Sequence, residues 1–230
     1  MKIIGMIGGM SWESSLEYYR LVNEGTKAAL GGLHSARCLM YSVEFAEIEI
    51  LQHQGRWEEL TAIMVDAGQR LQRGGADFIV ICTNTMHLMA EAVEKKAGIP
   101  VLHIADATAK NILAAGLTKV GLLGTKFTME REFYKGRLKE KFGIEVIIPE
   151  DRGREDVHSI IYNELCLGTI KDTSRQRYKA IIEELSGRGA QGIVLGCTEI
   201  PLLVKQDDVK VPLFDTTAIH AQAAVDFALG

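Results

Sequence analysis

The chain lacks the features that mark several large classes of protein. It has four cysteines in 230 residues, and no two of them form a Cys-x-x-Cys pair, which argues against both a disulfide framework and a zinc site. It has no excess of positive charge: 26 Lys and Arg against 30 Asp and Glu leave a net charge of −4, so there is no basic field for nucleic acid. It has no long apolar run either. Phe78 to Cys82 and Gly192 to Gly196 are far too short to cross a bilayer. Met1-Lys2 runs directly into a strand-like Ile-Ile-Gly-Met-Ile-Gly-Gly with no hydrophobic leader, from which a cytoplasmic location is expected. No stretch is low in complexity or resembles a linker. What remains is a chain 47% hydrophobic and 24% charged, long enough to bury two cores.

What the chain does have is a duplication. The stretch from Gly75-Ala76-Asp77-Phe78 to Cys82-Thr83-Asn84-Thr85 returns as Gly189-Ala190-Gln191-Gly192 to Gly196-Cys197-Thr198-Glu199. Ile4-Gly5-Met6-Ile7-Gly8-Gly9 returns as Val120-Gly121-Leu122-Leu123-Gly124-Thr125, Glu17-Tyr18-Tyr19 as Glu132-Phe133-Tyr134, and Ile99-Pro100-Val101-Leu102 as Val211-Pro212-Leu213-Phe214. The matches keep their order at a spacing of roughly 115 residues, which is the size of a domain and not of a solenoid repeat.

Short apolar runs at 2–7, 38–43, 78–82, 100–104, 120–124, 144–148, 193–196 and 211–214 read as central parallel strands. Amphipathic stretches, among them 14–29, 58–73, 86–96, 128–141 and 174–186, read as helices between them. This alternation predicts an α/β fold: two pseudo-twofold-related, doubly wound parallel-sheet domains with the active site between them. The chain is expected to change domain near Gly98-Ile99-Pro100 or Gly116 to Lys119, and the first choice gives residues 1–98 plus 212–230 as one half and 99–211 as the other.

In such a sheet the ligand lies outside the carboxyl ends of the strands. Ile7-Gly8-Gly9-Met10-Ser11, Cys82-Thr83-Asn84-Thr85 and Gly196-Cys197-Thr198-Glu199 all fall there. The Gly8-Gly9 pair lacks the spacing of a dinucleotide fingerprint or a P-loop, and a tight strand-to-helix turn explains it. Cys197 is in a polar, strand-terminal context where a helix N-terminus would favour its thiolate, making it a base or nucleophile near neutral pH. Cys38 and Cys166 read as structural thiols. The repeat aligns Cys197 with Thr83 and Gly196 with Cys82. Adjacent strand residues face opposite ways, so Thr83 and not Cys82 is the expected partner of Cys197.

At these residues the chain resembles the aspartate/glutamate racemase family, the cofactor-independent amino-acid racemases. The resemblance rests on Gly8 to Met10, Asn84-Thr85-Met86-His87 and Gly196-Cys197-Thr198-Glu199, and covers essentially the whole chain. It implies an amino-acid substrate, no cofactor or metal, and a homodimer. It also implies two cysteines, one from each half, acting as base and acid on opposite faces of the substrate α-carbon. Here Thr83 occupies the first cysteine's position. A threonine hydroxyl is too weak an acid to serve as a carbon base unaided, so Cys197 is expected to be the base and Thr83 the opposite-face proton donor. By the same resemblance Cys197 addresses the L enantiomer.

Proton removal builds negative charge beside a carboxylate, and without a pyridoxal group fixed donors must stabilise it. Asn84, Thr85 and Thr198 are natural donors, and Met10 belongs to the matching Gly-Gly-Met. Glu199 could hold the substrate ammonium or set the charge on the thiol, or it could be a plain turn carboxylate. His87 could be catalytic or simply packed. Acidic-substrate members of the family carry an arginine after the second strand and a lysine in a Tyr-x-x-Ile-Lys-x-Gly-like helix. Here Val43 to Gln54 has no Arg or Lys and offers Gln52 and His53, while Tyr162 to Gly168 has Cys166 at the lysine position. A substrate carboxylate without a cationic partner is costly to bury, which favours neutral or varied amino acids. Arg56 and Lys171 remain as cations that could restore an acidic preference. A related cofactor-free decarboxylase or isomerase, and a non-catalytic amino-acid binder, remain as alternatives.

Overall fold

The computed structural model describes residues 1–230, which divide into two compact units: residues 1–104 with 220–230, and residues 105–219. The first unit runs β1 (Ile4–Gly8), α1 (Trp12–Leu30), β2 (Cys38–Ser42), α2 (Phe45–His53), α3 (Trp57–Arg73), β3 (Phe78–Ile81), a 3-10 turn (Thr85–Met89) and α4 (Ala90–Ala97). The chain then passes through α5 (Ile104–Ala114), β4 (Lys119–Gly124), α6 (Lys126–Glu130), α7 (Glu132–Phe142), β5 (Glu145–Ile147), α8 (Asp151–Asn163), α9 (Asp172–Gly187), β6 (Ile193–Gly196), α10 (Ile200–Leu203), β7 (Leu213–Asp215) and α11 (Thr216–Leu229).

Both sheets are wholly parallel and share one connectivity. The first has the order β2-β1-β3, with an isolated parallel bridge from Ile79 to Val101 where a fourth strand would lie. The second has the order β5-β4-β6-β7. Each therefore places its first strand beside its third, the crossover point at which open parallel sheets bind ligands.

The division falls later than Gly98 and Val211, and hydrogen bonding explains the shift. Leu102 donates its N–H to Ile79 O, and Ile79 donates to Pro100 O, so residues 100–102 stay with the first sheet. Leu213–Asp215 pair with Ile193–Leu195, so β7 and the first turn of α11 stay with the second. Only from His220 does the chain return to the first unit.

Burial is continuous along the inner strands β1, β3 and β6 because there each sheet is covered on both faces. In the first unit Ile7, Ile79 and Ile81 pack with Leu60, Met64 and Met86 on one side. Ile4, Met6, Phe78, Val80 and Cys82 pack with Tyr18 and Val22 of α1 and Ala221, Ala224 and Val225 of α11 on the other. Successive residues of β3 thus point to opposite sides.

The Gly8-Gly9 turn is built for close approach. Gly9 has φ +90°, and a Cβ there would collide with the backbone of Val43. Its N–H is held by Ser15 Oγ at 2.7 Å, while Val43 donates to Gly8 O at 3.0 Å. The turn is fully explained as a strand-to-helix connection. Gly9→Ala combines a disfavoured backbone conformation with a clash and is expected to cost at least about 2 kcal/mol, read as a lowered urea midpoint with unchanged m. A midpoint equal to the parent's would contradict this account.

Candidate active site

In the first unit the strand-end turn is tied down by side chains whose partners are buried carbonyls. Ser14 Oγ donates to Cys82 O at 2.7 Å, fixing the end of β3 to the first turn of α1. His87 Nδ1 lies 2.8 Å from Thr83 O, and its Nε2 accepts from Ile104 N at 3.2 Å. Thr83 is half-buried, whereas Asn84 and Thr85 are buried. Cys82, one residue away, is wholly inaccessible inside the apolar layer under α1, and burial pushes its thiol well up.

His87 belongs to a buried group of three imidazoles. Its ring centroid lies 4.8 Å from that of His103 and 5.4 Å from that of His220. Burial first, then these two neighbours, holds its pKa well below the ordinary histidine value. His220 donates Nε2–H to Leu102 O at 2.7 Å and takes the Tyr18 hydroxyl on Nδ1 at 2.8 Å, and burial lowers its pKa to about 4. Both are neutral at physiological pH.

Of the remaining residues expected in this unit, Gln52 sits in the last turn of α2, buried, and its Oε1 has no protein hydrogen-bond partner. A buried amide oxygen left without a partner points to a ligand donor. Met10 is buried in the apolar cluster beneath α2 and α3. Arg56 is turned to the surface, paired with Glu59.

In the second unit the end of β6 carries a compact acidic and thiol cluster. Cys197 Sγ donates to Glu199 Oε2 at 3.0 Å, and the Thr198 hydroxyl donates to the same oxygen at 2.6 Å. Glu199 is buried while Cys197 and Thr198 are half-buried. The expected helix-favoured thiolate is corrected here. Burial, the Glu199 carboxylate and nearby Cys166 raise the Cys197 pKa well above that of a free thiol. The following helix, α10, has only four residues, too few aligned peptide dipoles to offset an adjacent anion. Cys197 therefore rests as a thiol.

Cys166 occupies a short 3-10 turn (Leu165–Leu167) near enough to act on Cys197 electrostatically, so it is not a remote structural residue. The Tyr178 hydroxyl, buried beneath them, donates to Val157 O at 3.2 Å. Lys171 is exposed and paired with Glu164 at 3.2 Å. Thr217, in the first turn of α11, escaped notice in the sequence. Its hydroxyl is buried without a protein partner, two residues past the end of β7. Only its alignment after an inferred strand end could have signalled it.

Comparison with known proteins places this geometry in context. The family model described as Asp/Glu/hydantoin racemase matches residues 7–224. A Yersinia pestis crystal structure classed with the Asp/Glu racemases is 57% identical, with each chain covered in full and a TM-score of 0.95. The structure of an aspartate racemase homologue from Pyrococcus horikoshii OT3 is 37% identical over the whole of both chains, with a TM-score of 0.87. The broad specificity amino-acid racemase RacX of Bacillus subtilis (strain 168) is 27% identical over 173 residues, 73% of this chain and 72% of that protein.

The carboxylate beside the thiol makes a testable electrostatic statement. An adjacent anion disfavours the thiolate, so Glu199→Gln removes that repulsion and lowers the Cys197 pKa. Iodoacetamide labelling of Cys197 at about pH 7.5, mapped by mass spectrometry, should accelerate several-fold in Glu199→Gln. Slower or unchanged labelling would mean that Glu199 does not hold the thiol protonated.

Proposed function

The chain belongs to the Asp/Glu/hydantoin racemase family and is an amino-acid racemase, and we propose that Cys197 and Thr83 carry its proton transfers on opposite faces of one α-carbon. The observation that carries this reading is the Cys197–Glu199 hydrogen bond at the end of β6, in the duplicated position that holds Thr83 after β3. The shared strand order of the two sheets supports a common role for these two strand ends.

The resting state suggests how the base is formed. Cys197 holds its proton while Glu199 is anionic. Arrival of a substrate ammonium beside the two groups would offset the Glu199 charge and favour the Cys197 thiolate, since a cation favours neighbouring anions. The thiol proton is released to solvent, the thiolate takes the α-hydrogen of the L substrate, and the α-carbon is left with the bonding pair. Thr83 then supplies a proton to the other face and is resupplied from solvent. Asn84, Thr85 and the main-chain N–H of Thr198 provide donors for the charge that accumulates on the substrate carboxylate. From the L side Thr83 acts as the donor and the thiol as the carbon base, and the D-to-L direction retraces the same steps.

The same residues argue for neutral or varied side chains over strictly acidic ones. Arg56 and Lys171, the cations that could have held a distal carboxylate, are exposed and engaged with Glu59 and Glu164. Gln52 supplies an uncharged polar contact. A pocket without buried cations pays no penalty for an uncharged ligand.

Two further statements complete the proposal. All four cysteines are free, as in the reducing cytoplasm where we place the protein. The second copy of a homodimer is proposed to cover Trp12, Leu16 and Tyr19, which stand 65%, 58% and 51% exposed on one face of α1 at helical spacing.

Incubation with L- and D-amino acids in D₂O, without added cofactor, tests the chemistry directly. Deuterium should enter the α-position of at least one uncharged amino acid with kcat/KM no lower than for aspartate or glutamate. Cys197→Ala should lower exchange by more than about 10²-fold, with Cys82→Ala close to wild type. Activity confined to acidic substrates would refute the specificity argument, and near-normal exchange by Cys197→Ala would refute the assignment of the base. For the dimer, light scattering should give twice the chain mass, reduced to one chain mass by Trp12→Glu with Leu16→Glu. A wild-type monomer would remove it.

A further inference from the structure

We propose that His87 is a positioning residue for Thr83, gripping the Thr83 carbonyl with one ring nitrogen and the start of α5 with the other; the inference rests on the racemase reading above. The tautomer is dictated by the partners. A carbonyl oxygen can only accept, so the 2.8 Å contact to Thr83 O requires hydrogen on Nδ1. A backbone N–H can only donate, so the 3.2 Å contact from Ile104 requires a bare Nε2. Both nitrogens are thereby occupied, which leaves neither for proton exchange with a substrate.

The surroundings preserve this state. His87 is 3% exposed, and the imidazoles of His103 and His220 flank it. Tyr18 and Leu102 in turn fix the His220 ring. A charged His87 would lose its acceptor, release Ile104 and place a buried cation beside two further imidazoles.

The clamp matters because of where Thr83 sits. Residues 82–84 belong to neither β3 nor the 3-10 turn that starts at Thr85. The turn's own bond, His87 N–H to Asn84 O at 3.1 Å, reaches only Asn84. The Thr83 carbonyl is thus oriented by a side chain four residues on. A weakly acidic hydroxyl delivers a proton only along a short, aligned path, so loosening this carbonyl should hurt delivery from Thr83 far more than abstraction by Cys197.

Two substitutions separate the ring's two contacts. His87→Asn keeps a donor near the Nδ1 position and gives up the acceptor. His87→Gln keeps an acceptor near the Nε2 position and gives up the donor to Thr83. With an L substrate in D₂O, the ratio of α-deuteration with retention to inversion should rise about fivefold in His87→Gln, the size of one lost hydrogen bond. It should stay within about twofold of wild type in His87→Asn. Retention and inversion falling together in both variants would mark a merely structural histidine and overturn the proposal, as would an unchanged ratio in His87→Gln. If the wild type exchanges no amino acid at all, the racemase reading fails on its own. The clamp is then judged by amide hydrogen exchange across residues 83–87, where protection unchanged in His87→Gln would overturn it too.

Discussion

Where a buried parallel strand stops, its last carbonyls must still find donors, and this requirement organises both strand-end turns. In the first unit Cys82 O is taken by Ser14, Thr83 O by His87 and Leu102 O by His220. In the second, Leu195 O is taken by Thr216 at 2.8 Å. Each of these carbonyls would cost a large part of the domain's net stability if left unpaired. The side chains that satisfy them come from α1, the 3-10 turn and α11, so the same bonds that stabilise the fold also fix the geometry of the residues between strand and helix.

The duplication was carried through in backbone and departed from in chemistry. Both sheets place the first strand beside the third, and both end the third in a polar turn. The turns then diverge. One carries a hydroxyl whose backbone is held by neutral imidazole, the other a thiol bonded to a carboxylate. In the proposed reaction this asymmetry separates the tasks of taking and giving a proton.

The strands were legible in the sequence because two-sided burial writes them as unbroken apolar runs. Even the weakest, around Val101, survives as a bridge to Ile79. The placement of Cys197 and Thr83 could be read from the repeat. The protonation state of Cys197 could not, because it depends on the rotamer of Glu199 and on a helix that ends after one turn. The contacts of His87 were equally hidden, since its second partner, Ile104, lies seventeen positions away.

The passage of the chain through α5 and back through α11 bears on the order in which the protein can form. Residues 105–219 are contiguous and can collapse as soon as they leave the ribosome. The layer formed by Ile4, Met6, Tyr18, Phe78 and Val80 has no such independence, because Ala221, Ala224, Val225 and Ala228 close it. The amino-terminal sheet is therefore made first and sealed last. Throughout translation of the intervening segment, its apolar face stays open to solvent and to chaperones, making this half the vulnerable partner in biogenesis.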